Sequence, residues 1–226
     1  MLEANANIAK FKYLNDNVDV YEMYRKSSVK EEKFAFYVRD LNMMFLTPHI
    51  LQLPFYGEKH PRSYIYGILG SILAHELMHG FENGGVMIDE AGNIRKWLSD
   101  HFYSQFNEKA SCLVKMYNES KVPLVDAKVD GMKTLDENIA DNEGLKLAIK
   151  AYRKLEKKHG TEGRLETLED FTNEQMFFLG NALSHCNDAN NKKTYLLHKL
   201  AEDTHSPGML RLALSLAIDS FDKILS

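Results

Sequence analysis

The chain has 226 residues, 44% hydrophobic and 27% charged, with a formal net charge of -4. That is enough for one sizeable core and too apolar for a disordered chain, and the charge leaves no basic footprint for nucleic acid. No apolar run approaches the ~20 residues of a bilayer span, and Met1-Leu2-Glu3-Ala4 opens no signal peptide. Cys112 and Cys186 are too few for a disulfide framework; they fit buried thiols or halves of bridges whose partners lie elsewhere.

Residues 1–33 are polar and charged and read as a solvated N-terminal segment ahead of a domain over 34–226. From Phe34 to Phe45, aromatics and methionines suggest extended chain, a hairpin, and Pro48 and Pro54 punctuate a loop. Ile65, Ile68, Leu69, Ile72, Leu73 and Leu77 recur at helical spacing, which predicts a helix over 64–81 ended by Gly84-Gly85. Two short strands are expected over 86–95, then a helix from Trp97 to Tyr117. Thr134 can cap a helix that runs to Lys158, with Lys157, Lys158 and His159 suiting its C-terminal dipole and Gly160 at C′. Thr172 with Gln175 forms a capping box for the next helix, and Ser206-Pro207 reads as an N-cap with proline at N1 for the last. The chain is therefore mainly α with a small β component. His49, His60, His101 and His198 read as surface or partly buried residues, Trp97 and Phe177-Phe178 as core aromatics, and the methionines as core fillers.

His75-Glu76-Leu77-Met78-His79 carries the chemistry. Residues i and i+4 share one helical face, so both imidazoles can reach one ion, and zinc takes two such nitrogens, a carboxylate and an open position. Glu76 stands beside that opening, where it can take a proton from water that the metal activates. The third ligand is sought in Glu137-Asn138-Ile139-Ala140-Asp141: Glu137 and Asp141 share a helical face, so one carboxylate can bind zinc while the other accepts a hydrogen bond from a ligating histidine. Thr134-Leu135-Asp136-Glu137 equally matches a capping box with Glu137 closing the helix end; the histidine pair favours the metal role. In Asp203-Thr204-His205-Ser206-Pro207-Gly208-Met209-Leu210-Arg211, His205 could donate to the oxyanion of a tetrahedral intermediate. Arg211 could hold a substrate carbonyl or a neighbouring carboxylate.

His75-Glu76-Leu77-Met78-His79-Gly80-Phe81, Thr134 to Asn142, and His205-Ser206-Pro207-Gly208 with Arg211 resemble, in order and separation, the neprilysin and endothelin-converting-enzyme family. Ile50-Leu51-Gln52-Leu53-Pro54-Phe55-Tyr56 resembles the family's segment upstream of its zinc helix, and the likeness runs from about Phe34 to the C-terminus. The resemblance implies a thermolysin-like zinc metallopeptidase catalytic lobe that cleaves oligopeptides, one Zn²⁺ per chain. It implies His75, His79 and Glu137 as ligands, Glu76 as base, Asp141 behind a ligand, His205 as transition-state stabiliser, and an extracellular or cell-surface location.

Four departures qualify it. Phe34 stands where the family has an asparagine that, with the residue matching Ala35, holds the substrate backbone, so backbone pairing through Ala35 survives without the amide side chain. Asp136 and Glu143 stand where glycine is usual. The family's large N-terminal lobe is not in this sequence. Nor are the half-cystines with which the family cysteines resembling Cys112 and Cys186 pair. Two functions follow: an active zinc endopeptidase, or a truncated or divergent non-catalytic zinc-binding paralogue that binds peptides or partners. An intact Glu76 favours the first; Phe34 and the absent lobe favour the second. A zinc aminopeptidase would need an acidic site for the substrate amine, and no such motif is evident.

Overall fold

Apolar residues from Ala35 to Leu46 form the expected hairpin in the computed structural model, which describes residues 34–186 and 192–217; the polar segment 1–33 lies outside the described residues. Strands β1 (Ala35–Val38) and β2 (Met43–Leu46) are antiparallel, with Ala35 opposite Leu46 and Val38 opposite Met43. The Phe36 and Phe45 rings stack across the pair at 5.1 Å. A 3₁₀ turn, Arg39–Leu41, joins the strands and is closed by Asn42 at a φ of 48°, a left-handed conformation that asparagine tolerates.

One continuous helical rod follows: α1 (Arg62–Ile65), a π-helical turn (Tyr66–Gly70) and α2 (Ser71–Met78). Pro61 gives α1 no side-chain cap. The Glu162 carboxylate takes that place, accepting from the amides of Arg62 at 2.5 Å and Ser63 at 2.7 Å, where its charge also meets the positive end of the dipole. The helix stops at Met78, three residues before the Phe81 expected from periodicity, and His79 is its C-cap. Bonds that reach back only three residues, from His79 N to Glu76 O and from Gly80 N to Leu77 O, turn the chain away. Gly85 lies against the backbone of His79 and Gly80, where any Cβ would collide.

The two strands expected over 86–95 reduce to a 3₁₀ turn (Gly85–Met87) and one bridge between Ile88 and Ile94. The cause is Asp89. Its buried carboxylate accepts from the amides of Ala91 and Asn93 and from Arg95 Nε at 2.5 Å, so the loop closes around a side chain and forms no ladder. Trp97, expected in the core, is 38% exposed.

Ser99 caps α3 (Asp100–Glu119) by accepting from the Phe102 amide. Strands β3 (Lys121–Val122) and β4 (Ala127–Lys128) make a second two-stranded ladder. The central helix is α4 (Leu135–His159), with Asp136 and Glu137 in its first turn and Lys157, Lys158 and His159 in its last; Gly160 is its C-cap, one position earlier than expected, at a φ of 81°. Thr134 is not its cap: Thr134 Oγ1 donates to Asp130 O and accepts from Asn138 Nδ2. The expected capping box of Thr172 and Gln175 opens α5 (Asn173–Ser184). After α6 (Lys193–Glu202), α7 (Gly208–Ala217) starts later than expected, because Ser206 Oγ donates to Asn138 Oδ1 at 2.8 Å and leaves the helix amides to Pro207 O.

The core is built along α4. On one side Leu135 and Ile139 meet Ala110, Leu113 and Tyr117 of α3; on the other Leu145, Ala148, Ile149 and Tyr152 meet Ala74 and the fully buried Phe177. Cys112 and Cys186 are exposed free thiols, which removes the buried-thiol reading. No described helix is long and apolar enough to cross a membrane.

Gly144 sets the spacing between α4 and α2. A Cβ there would stand 2.7 Å from the His75 amide nitrogen and 2.9 Å from its Cα, both backbone atoms that cannot swing aside. Gly144→Ala is expected to cost about 1–3 kcal/mol through overpacking, about 2–4 °C of melting temperature per kcal/mol in a chain this size. A thermal melt within a degree of wild type would show that the helices can separate freely.

Candidate metal centre

Helices α2 and α4 cross so that their polar residues meet at one end of the core. His75 and His79, a turn apart, face Glu137 in the first turn of α4. His75 Nε2 lies 3.2 Å from His79 Nε2 and 3.3 Å from Glu137 Oε2, and His79 Nε2 lies 3.8 Å from the same oxygen. Three ligands bound tetrahedrally at zinc distances sit about 3.3 Å apart, so the set has the dimensions of a zinc site. Among the described residues it is the one group of three with metal-ligand spacing. Glu137 Oε2 is buried and accepts no hydrogen bond of good geometry, although three imidazole nitrogens lie within reach. A buried anionic oxygen in that condition is what a cation would complete.

The electrostatics agree with a site shaped for positive charge. Burial opposes ionisation of Glu137, yet the imidazoles of His205 and His75 outweigh it and hold the carboxyl well below its usual range. Burial also opposes a charge on His75, but the carboxylates of Asp141 and Glu137 beside it raise its pKa; burial and the charge on His75 then push the neighbouring His79 down. A metal cation at this point would compete with protons for the same imidazole nitrogens.

Each imidazole is oriented from behind. His75 Nδ1 donates to Asp141 Oδ1 at 2.9 Å, as expected, which leaves Nε2 facing the carboxylate of Glu137. Asp141 is in turn gripped by Arg211 of α7, Nε to Oδ2 at 2.6 Å and Nη2 to Oδ1 at 2.5 Å. Of the two partners expected for Arg211, the carboxylate is the one seen. Burial would raise the Asp141 carboxyl, but the Arg211 charge holds it well below its usual range. His79 Nδ1 lies 2.6 Å from Glu82 Oε2. Glu82 was not anticipated; its only signal was its place three residues beyond His79, past the expected helix end.

Glu76 is buried at the lip of the pair, its Oε2 3.9 Å from His79 Nε2. Burial pushes its carboxyl up, against the charge on His75, and the Tyr37 amide of β1 hydrogen-bonds to it. Strand residues two apart share an edge, so Ala35 turns its backbone to the same side as Tyr37. His205 Nε2 stands 3.0 Å from Glu137 Oε2, and its Nδ1 lies 2.9 Å from Asp203 Oδ1. Asp203 was also missed, although it lies two residues before His205. Burial would raise its carboxyl, but Lys199 and His205 bring it down to about 2. The capping-box reading of Glu137 falls, because its carboxylate faces these three histidines. Phe34, the residue before β1, is exposed.

The sequence model of peptidase family M13 matches residues 34–223. The chain belongs to peptidase family M13. This family member is 37% identical to neprilysin-1 of Caenorhabditis elegans over 203 residues, which covers 89% of the chain and 26% of the relative. It is 38% identical to human endothelin-converting enzyme-like 1 over 178 residues, 79% of the chain and 22% of the relative. The fold superposes on a zinc metalloprotease of Mycobacterium tuberculosis solved with an inhibitor, with a TM-score of 0.72 and 28% identity over 84% of this chain and 29% of that one. The neprilysin resemblance and the mainly α lobe are therefore borne out. The chain spans about a quarter of the length of these curated relatives.

The Asp141–Arg211 pair yields a stability test. Removing one partner of a buried pair strands the other's charge, so Arg211→Ala is expected to cost about 3–5 kcal/mol in urea denaturation. Asp141→Asn combined with Arg211→Met should lose less than that single change. A double variant as unstable as the sum of its parts would show that the two residues stabilise the chain separately.

Proposed function

We propose that residues 34–226 are the catalytic domain of a zinc metalloendopeptidase that hydrolyses oligopeptides. The observation that carries this reading is the convergence of His75 Nε2, His79 Nε2 and Glu137 Oε2 at 3.2–3.8 Å, with the buried Glu76 beside them. Those three atoms would hold one Zn²⁺, which when bound supplies a Lewis acid for the peptide carbonyl and a water of lowered pKa.

The remaining work falls to the chain's own residues. The backbone edge at Ala35 pairs with an extended substrate and aligns the scissile bond over Glu76. Glu76 takes a proton from the attacking water and returns it to the departing amine, a task suited to a carboxyl whose pKa burial has raised. His205 Nε2 reaches the same cleft and donates to the oxyanion as charge develops there. Asp203 fixes the ring through Nδ1. Asp141 orients His75, and Arg211 holds Asp141 in place.

The second reading is a zinc-binding paralogue without turnover. Phe34 in place of a hydrogen-bonding side chain favours it. The substrates, an N-terminal lobe as partner, and a place outside the cell or on its surface follow from the family reading.

Metal content and peptide cleavage separate the two. Glu76→Gln should retain stoichiometric zinc and lose turnover, because Glu76 is a base and not a ligand, whereas Glu137→Ala should lose the metal. Equal metal loss in both variants would undo the assignment of the two glutamates. Wild type no faster than Glu76→Gln, with zinc bound, would establish the non-catalytic paralogue. Phe34→Asn should speed cleavage of short peptides by restoring an amide to substrate binding; rates equal to wild type would remove Phe34 from the substrate path.

A further inference from the structure

Glu82 presents a problem that the metal ligands do not solve. Its side chain is fully buried, and one oxygen is engaged by His79 Nδ1 at 2.6 Å. A buried carboxylate needs a compensating cation. For Asp141, behind the other histidine, that cation is Arg211. For Glu82 it is Arg39, which reaches across from the 3₁₀ turn of the β1–β2 hairpin and contacts Glu82 Oε1 through Nη2. The two histidines are thus backed alike, imidazole to buried carboxylate to arginine, with the arginines drawn from opposite ends of the domain sequence.

Arg39 does more than neutralise Glu82. The same Nη2 lies 3.7 Å from Asp136 Oδ2, and Asp136 immediately precedes Glu137. Asp136 also accepts a hydrogen bond from the Asn83 amide, one residue after Glu82. Gly84 runs beside the cluster: a Cβ added there would stand 3.7 Å from the Arg39 guanidinium and from Asp136 Oδ2. Three separate pieces of chain meet here: the hairpin turn, the segment leaving His79, and the first turn of α4. The hairpin is also the element whose Tyr37 amide meets Glu76.

We propose that Arg39 is a positioning residue for the metal centre: by holding Glu82 against His79 and Asp136 beside Glu137, it fixes two of the three ligands and ties both to the hairpin. This rests on the metal reading given above. Arg39 is not one of the candidate ligands. Its effect passes through Glu82, which selects the His79 tautomer with Nδ1 protonated and Nε2 free to ligate. A lysine would supply the charge, but from a flexible stem whose ammonium need not stand where Nη2 meets both carboxylates.

The test uses the full chain as wild type, Arg39→Ala, Arg39→Lys, Glu82→Gln and the Arg39→Ala/Glu82→Gln double variant. Zinc affinity is read by competition with a chromophoric chelator, ligand geometry by the visible spectrum of the Co²⁺ form, and folding by far-ultraviolet circular dichroism of the metal-free protein. Arg39→Ala should bind zinc about 10–100-fold more weakly and shift the Co²⁺ spectrum, as loss of an outer-shell partner does. Arg39→Lys should recover part of the affinity, and the double variant should bind no more weakly than the worse single one. A role confined to stabilising the fold would leave the Co²⁺ spectrum unmoved. If Arg39→Ala does not fold, Arg39→Lys and Glu82→Gln carry the comparison through the same spectrum. Zinc affinity and spectrum like wild type in the Arg39 variants would overturn the proposal, and so would fully additive losses in the double variant. A wild type that binds no zinc would instead overturn the metal reading itself, and this proposal with it.

Discussion

The near contact of Gly144 with the backbone of His75 governs the rest of the domain. Two helices packed through ordinary side chains sit roughly 8–10 Å apart. Removing the side chain at the crossing lets α4 lie closer to α2, and the residues that share the Gly144 stripe are Asp141 and Glu137, three and seven positions earlier. Spacing of i, i+4 and i+7 keeps them on one face, so both carboxylates are delivered to the same histidine. A bulkier residue would lift that face and with it Glu137. Close approach and ligand convergence are one geometric fact.

A cluster of buried acids and imidazoles would be unfavourable without compensation, since each uncompensated buried ion costs several kcal/mol. The chain compensates by drawing cations from distant segments. Arg211 comes from the last described helix and Arg39 from the first hairpin. These links also tie the first hairpin and the last described helix to the centre: α7 is held by Arg211 and by Ser206 on Asn138, and the hairpin by Arg39 and by Tyr37 on Glu76. Electrostatic need thereby shapes tertiary structure, while apolar packing along α4 supplies the bulk of the burial.

What could be read from sequence was whatever depends on neighbours along the chain. The spacing of His75 and His79, the capping box of Thr172 and Gln175, and the hairpin rest on local geometry, and each has the expected form. The Asp141–His75 contact was legible because two carboxylates one turn apart beside a histidine pair leave few arrangements. What failed depends on where side chains go in space. Thr134 and Ser206 look like caps but spend their hydroxyls on Asp130 and Asn138, respectively. The strands expected near Ile88 yield to the Asp89 carboxylate, which competes for the same amides. Glu82 and Arg39 stand 43 positions apart and carry no local pattern that joins them, so neither could be singled out before the hairpin was seen against α2.

The π-helical turn from Tyr66 to Gly70 has a bearing on the metal-binding face that no ligand residue has. It accommodates one residue more per hydrogen-bonded turn than an α-helix does, just ahead of α2. Each residue advances a helix by about 100° of azimuth. Upstream, α1 is keyed to α5 by Gly180 against Tyr64 O, and the turn itself by Gly67 against Phe177 O, so any change of length in this stretch is passed forward to α2. A chain that dropped one residue there would keep His75, Glu76 and His79 in sequence and swing them by more than a quarter of a circle, away from Glu137. The phase of the site is written in a segment that contains none of its chemistry.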